Sequence, residues 1–370
     1  MLVRSLAHDF ARDRLLPLAA VIDEREAVPP EVLRECAALG FMGMTVPERW
    51  GGAGLTALSY VHVLEELSRA CASTGVIVSV NNSLACEAVL RHGTDAQRER
   101  WLSLLTSGTL GCFALTEPGG GSDPKAMLTT ARQDGGGWSI DGTKSFVTNG
   151  ASAGVVVVFA RTDPAARNRG IAAFVLDAKT PGLVVGKVEK KLGIRGSDTA
   201  QLHFADCRVP GDALLGEVGG GLRIALETLD GGRIGIAAQA VGIARACYED
   251  ALAYAKERLA FGQRIADFQA IKWKLVDLAT ELDAARLLTW RAAALKDEGL
   301  PYRRAAAQAK LFASDVAVRA ARECVQIFGG YGYLAGSPAE RHYRDAKVTE
   351  LYEGTSEILR LVIAAEILAE

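Results

Sequence analysis

The sequence predicts an α+β chain in three parts: an N-terminal helical domain over 1–110, a middle β domain over 111–215 and a C-terminal helical bundle over 216–370. Three observations carry this. The first part places apolar residues at helical spacing and holds a capping box, Thr94 with Gln97, before Trp101, Leu102 and Leu105. The middle part breaks into short β-rich runs separated by Gly, Pro and Asp. The last part returns to a 3.6-residue period along two long apolar stripes.

Leu2, Leu6 and Phe10 open an amphipathic pattern at once, without signal-peptide design. The glycine cluster Gly51, Gly52 and Gly54 reads as a turn, and a helix through Tyr60, Val63, Leu64 and Leu67 follows it. In the middle part, 138–148 reads as a hairpin turning at Asp141 and Gly142. Residues 155–161, 171–177, 183–188 and 201–209 read as further strands. Their spacing predicts a small sheet or barrel, and the missing strand–helix alternation excludes a Rossmann unit. Ile271, Leu275, Leu278, Leu282, Ala285, Leu288, Ala292 and Leu295 form one C-terminal stripe. Ala305, Ala309, Phe312, Val316, Ala320, Cys324 and Ile327 form the next, after a break at Gly299, Leu300 and Pro301. Long helices with short connections predict an antiparallel bundle.

Composition narrows the function classes. A net charge of −2 over 370 residues leaves no basic footprint for nucleic acid. The longest apolar run, 155–160, is too short to span a bilayer. Seven scattered cysteines without a Cys-x-x-Cys argue against a zinc site or a disulfide framework and fit a reducing, cytoplasmic compartment.

Several segments have the chemistry of a site. Residues 113–122 end a strand in a glycine-rich loop; such glycines let backbone N–H groups approach an anion, although a plain turn is the commoner use. Residues 146–149 end another strand before an Asn149-Gly150 turn. Arg258, near Phe261 and Gln269, has the planar fork that suits a diphosphate; the alternative is a solvated charge at a helix end. Residues 326–332 read as a helix C-cap at Gly329 and Gly330. Asp230 and Arg233 stand at i and i+3, the spacing of a helix-surface ion pair. The five histidines share no motif, and His342 lies in a charged run, 340–345, that reads as a solvated face. Finally, Tyr352, Glu353, Gly354 and Thr355 put a carboxylate on a glycine turn just before a helix.

Taken in order, the 115–123 loop, the 326–332 segment and the 352–355 turn resemble the acyl-CoA dehydrogenases. The resemblance covers nearly the whole chain and is nearest to the short-chain, butyryl-CoA branch through 229–236 and 338–346. It implies that family's fold, with a β-barrel-like middle domain and a C-terminal four-helix bundle, and a homotetramer built as a dimer of dimers. It implies FAD bound by Phe113, Leu115, Thr116, Gly121, Ser122, Phe146, Thr148, Thr355 and Glu357. Arg258, Phe261, Gln269, Gln326 and Gly330 would also bind FAD, with Arg258 and the 326–330 segment reaching a neighbouring subunit's cofactor. Acyl-CoA would meet Ser122, Asp230, Arg233 and Gly354, with Glu353 as the base. The implied reaction is α,β-dehydrogenation of a short-chain acyl-CoA to the trans-2-enoyl-CoA, with electrons passing to electron-transfer flavoprotein. A branched-chain acyl-CoA dehydrogenase, an acyl-CoA oxidase and a non-catalytic binding protein on the same scaffold are the alternatives. Phe146 stands where relatives often carry Trp, and Leu359 and Gly336 also depart from the family pattern. Some relatives carry a catalytic Glu at the position of Gly232, so Glu353 has no rival there.

Overall fold

The computed structural model describes residues 2–369, apart from the side chains of Arg167 and Asn168. Among the described residues seven α-helices come first: α1 (Leu2–Phe10), α2 (Ala19–Arg25), α3 (Pro30–Ala38), α4 (Ala57–Ala70), α5 (Ala72–Val80), α6 (Glu87–His92) and α7 (Asp95–Thr106). The expected capping box starts α7: Gln97 N–H donates to Thr94 Oγ1, and the Thr94 N–H donates to Gln97 Oε1 at 2.9 Å. Gly51 and Gly54 adopt positive φ in the expected turn before α4.

Eight strands follow: β1 (Gly111–Ala114), β2 (Thr130–Asp134), β3 (Gly137–Thr148), β4 (Val155–Arg161), β5 (Ile171–Asp177), β6 (Leu183–Val188), β7 (Thr199–Pro210) and β8 (Leu214–Leu215). They form one sheet in the order β6-β7-β3-β2-β4-β5-β8, with β1 parallel to β4. The end strands β6 and β8 do not pair, so the barrel stays open. The hairpin lies elsewhere than its sequence signal. The chain turns at Gly135 and Gly136, both at positive φ, while Asp141 and Gly142 lie inside β3 at a break in register with β7. A Cβ on Gly142 would meet the Thr129 Cα at 2.7 Å, so the glycine there serves a bulge and a close approach.

The C-terminal part holds α8 (Gly221–Glu257), a small hairpin of β9 (Leu259–Ala260) and β10 (Gln263–Arg264), then α9 (Gln269–Asp297), α10 (Arg303–Phe328), α11 (Pro338–Lys347) and α12 (Ser356–Leu368). Nearly every residue of α8 from Gly231 to Cys247 is buried, as expected for a helix apolar on all sides at the centre of a bundle. The two predicted stripes put Leu278, Leu282, Ala285 and Ala292 of α9, and Ala309, Val316, Ala320 and Cys324 of α10, in one core with α4 and α8. No helix of the described residues is long and apolar enough to cross a membrane.

The charged run 340–345 is not a solvated face. Arg344 Nη2 lies 2.6 Å from Asp23, His342 Nε2 lies 3.1 Å from Asp250, and the buried Asp345 accepts the Ile194 N–H at 2.5 Å. Helix α11 packs on α8 and α10, and this run ties it to the N-terminal helices and to the loop after β6. Periodicity alone could not separate such a seam from a wet surface.

Candidate active site

Glu353 lies in the turn between α11 and α12, in the left-handed region at φ 51°, followed by Gly354 at φ 98°. Only a few per cent of non-glycine residues adopt such a backbone, and the surroundings explain how it is held. Thr355 caps α12, its hydroxyl accepting the Ile358 N–H at 3.3 Å. Two buried cations then hold successive carbonyls. Arg233 Nε lies 3.4 Å from the Glu353 carbonyl oxygen, and Lys310 Nζ donates to the Gly354 carbonyl oxygen at 2.7 Å. Arg233 is paired with Asp230 at 2.5 Å, and both side chains are largely shielded. The i, i+3 pair is therefore part of this site rather than a surface feature.

Both Glu353 carboxylate oxygens are buried and accept no hydrogen bond from the protein. Burial pushes the carboxyl up to about 7, with Lys310 and then Arg233 holding it down. The carboxylate rests on the face of α8, where a Cβ on Gly232 would lie 1.9 Å from Glu353 Oε2. Glycine at 232 leaves the space that the Glu353 side chain fills. The neighbouring Tyr352 donates to Gln239 Oε1, while Gln239 Nε2 donates to the Ala72 carbonyl at 2.9 Å. Val76, Val80, Leu84 and Ile194 form an apolar patch that also meets Phe113, Leu229 and Tyr352. An unpartnered carboxylate beside an apolar wall is suited to removing a proton from carbon, where water would compete for the base.

The glycine-rich loop after β1 is anchored from below. Glu117 accepts the Leu128 and Thr129 N–H groups at 2.6 and 3.0 Å and pairs with fully buried Lys144 at 2.8 Å. Glu117 is thus structural. The Thr116 carbonyl accepts the Ser145 N–H at 2.8 Å, joining the loop to β3. Above that anchor the loop is open: nothing lies near Gly119, Gly121 meets only Thr116 Cγ2, and Ser122 is exposed. Phe146 adopts φ 56° and keeps 66% of its surface exposed, beside the half-buried Thr148. Phe113 packs on Phe159 at 4.8 Å, with Leu115 partly buried nearby. Glu357 is exposed on the first turn of α12.

A second group gathers elsewhere. Arg258 caps α8 and sits 5.5 Å from the Tyr331 ring centroid. With Tyr254, Phe328, Gly329 and Gly330 it lines an open hollow of about 540 Å³. Phe261 is 96% exposed at φ 53°, and Gln269 and Gln326 are exposed at the start of α9 and the end of α10. Arg233 lies on α8 and Arg258 is the residue that ends that unbroken helix, 25 positions further on. At 1.5 Å per residue their backbones are separated by about 37 Å. The structure therefore does not bring the Arg258 group to the Glu353 turn of the same chain.

Sequence reasoning missed Lys310, Lys144 and Gln239. Lys310 carried the one available signal, a lysine with Ala306, Ala307 and Ala313 at one helical turn on either side, inside a buried stripe.

Family models match the chain in three blocks: the acyl-CoA dehydrogenase N-terminal domain at 1–109, middle domain at 112–207 and C-terminal domain at 219–368. The mitochondrial short-chain specific acyl-CoA dehydrogenase of Homo sapiens is 53% identical over 361 residues, which cover 97% of this chain and 88% of that protein. The butyryl-CoA dehydrogenase structure from Megasphaera elsdenii matches with a TM-score of 0.97 at 43% identity, covering 99% and 97% of the two chains. A chain solved in work on the electron transferring flavoprotein of Acidaminococcus fermentans matches with a TM-score of 0.98 at 44% identity, over 100% and 97%. Matches of this extent place the glutamate turn, the glycine loop and the bundle in one lineage: the chain belongs to the acyl-CoA dehydrogenase family.

Proposed function

We propose that this protein is an FAD-dependent acyl-CoA dehydrogenase that converts a short-chain acyl-CoA to the trans-2-enoyl-CoA and passes its electrons to electron-transfer flavoprotein. The observation that carries the reading is the Glu353 carboxylate: shielded, without a hydrogen-bond partner, and set against Gly232, so that no second carboxylate stands at that position of α8.

The residues present fit a flavin dinucleotide. A large aromatic, Phe146, faces outward beside Thr148, and the loop with Gly119, Gly121 and Ser122 leaves room above its anchor. Phe113, Leu115, Thr116, Gly121, Ser122, Phe146, Thr148, Thr355 and Glu357 would hold the cofactor's own-subunit portion. Arg258, Phe261, Gln269, Gln326 and Gly330 would complete the cofactor site of a neighbour, which the length of α8 supports. We accordingly read the assembly as a homotetramer of two dimers and the domains as 1–110, 111–215 and 216–370. The seven cysteines are buried, unpaired thiols, which supports a reducing compartment such as the cytoplasm.

In the proposed mechanism, Ser122, Asp230, Arg233 and Gly354 position the thioester. The Glu353 N–H donates to the thioester oxygen and stabilises the charge that develops there as the α-carbon loses its proton. The ionised Glu353 carboxylate takes that proton and becomes the neutral acid. FAD, when bound, supplies the acceptor for the hydride that leaves the β-carbon. The apolar wall excludes water and leaves Glu353 as the acceptor of the α-proton.

The test is anaerobic bleaching of the purified holoenzyme's flavin spectrum by a panel of acyl-CoAs. Reduction by C4 to C6 chains with a higher kcat/KM than by C12 chains is expected; the reverse order overturns the short-chain reading, and no bleaching by any acyl-CoA overturns the activity. Rapid turnover with oxygen as sole acceptor would indicate an oxidase instead.

Two further outcomes follow. The reduction rate should rise with pH through about 7, because the carboxyl raised by burial must be ionised to act as a base. A flat profile between pH 6 and 8 contradicts this. Arg258→Ala should lower flavin content and loosen the oligomer together, read by absorbance and light scattering. A variant that keeps full flavin in an intact tetramer removes Arg258 from the cofactor site.

A further inference from the structure

Lys310 is a lysine with no exposed surface, on a face of α10 shared with Ala306, Ala307, Ala313 and Ser314. Complete burial of an ammonium is costly unless a charge compensates it. Its hydrogen bond goes to a neutral group, the Gly354 carbonyl at 2.7 Å. The nearby Arg233 is cationic too and is already matched by Asp230. Burial pushes the Lys310 ammonium down to about 8, and the largest opposing influence is Glu353; the cationic Arg233 adds to the downward push, while Glu350 and Asp315 oppose it more weakly than Glu353 does. Other charges around α10 form pairs: Arg303 with Glu366 and, at 3.9 Å, with Asp230; Lys274–Glu323 and Glu281–Arg319 with α9; Lys347–Glu350 at the end of α11; and Asp315–Arg360 with α12. Glu353 is therefore the principal counter-charge of Lys310, and Lys310 is the foremost cation acting on Glu353.

We propose that Lys310 is a positioning residue for the reaction: it ties the Gly354 carbonyl so that Glu353 keeps its left-handed turn, and its charge keeps the Glu353 carboxylate ionised and ready to accept the α-proton. The inference rests on the reading of Glu353 as the base. It deepens that reading in one respect. With Glu353 ionised, the cluster of Asp230, Arg233, Lys310 and Glu353 is neutral. Once Glu353 carries the substrate's proton, the same cluster holds one uncompensated buried positive charge. Lys310 thus favours the state that accepts a proton and disfavours the state that keeps it, so it also promotes return of the proton to solvent after turnover.

The experiment compares wild type, Lys310→Met and Lys310→Gln as flavin-loaded holoenzymes. Met keeps the stem and removes both the donor and the charge; Gln removes the charge and keeps a donor group. The first readout is anaerobic stopped-flow reduction by butyryl-CoA from pH 6 to 9. The second is an infrared pH titration of the protonated-carboxyl band that Glu353→Gln abolishes, which needs no turnover. Both variants should move the Glu353 midpoint upward by about one unit or more, a tenfold change per unit on the acid limb. Lys310→Met should also lower the high-pH plateau, through loss of the tether, more than Lys310→Gln does. An unchanged infrared midpoint in either flavin-retaining variant overturns the proposal. Failure of both variants to retain flavin assigns Lys310 to folding alone and also overturns it. A wild type that no acyl-CoA reduces would instead overturn the proposed activity, whatever Lys310 does.

Discussion

Glu353→Gln is expected to cut anaerobic flavin reduction by butyryl-CoA roughly 10²–10⁴-fold or more, while flavin content and acyl-CoA binding stay near wild type. Glutamine matches glutamate in size, so the side chain can still lie in the space above Gly232 and the backbone N–H is unchanged. The thioester oxygen keeps its donor, and the α-proton loses its acceptor. No nearby acid can take over. Asp230 is bound to Arg233, and both Glu117 oxygens are engaged by Lys144 and two backbone N–H groups. Water is a poor substitute where both carboxylate oxygens are already out of solvent. Stopped-flow reduction of the variant within a few-fold of wild type would show that another group is the base.

The turn that holds the proposed base is legible because its signal is local: a glutamate and a glycine just before a helix cap, in a fixed order with two other motifs. The helical stripes and the strand segments that became β4, β5, β6 and β7 were legible for the same reason, since period and punctuation sit within one element. Two readings failed where the deciding contact was distant in sequence. Asp141 and Gly142 have the composition of a hairpin turn, but Thr129 lies close enough to Gly142 to require a bulge instead, and the turn moved to Gly135 and Gly136. His342, Arg344 and Asp345 have the composition of a wet surface, yet their partners Asp250, Asp23 and Ile194 lie in other parts of the fold. Lys310 and Lys144 were overlooked because a charged residue in an apolar run usually marks the edge of a stripe. Here each reaches a buried oxygen that only the tertiary structure supplies.

The largest stability effect should come from the anchor beneath the glycine loop. Glu117→Ala strands Lys144, which has no exposed surface, and leaves the Leu128 and Thr129 N–H groups without their acceptor. Removing one member of a buried pair typically costs about 3–5 kcal/mol, so the variant should unfold at markedly lower denaturant and lose flavin with the loop. The effect has a pH signature. Burial lowers the Lys144 ammonium to about 8 even with Glu117 present, and without that carboxylate it falls further. Between its folded value and the ordinary lysine range the unfolded chain binds more protons, so this group makes stability rise with pH. That window opens at a lower pH in the variant, which should therefore regain stability on going from pH 7 toward 9 more steeply than wild type. Glu117→Gln with Lys144→Met removes both charges and keeps an acceptor for one N–H. The double variant should be more stable than Glu117→Ala and should lack the steep rise. Equal denaturation midpoints for Glu117→Ala and wild type, or parallel pH profiles for the two, would show that the pair does not anchor the loop.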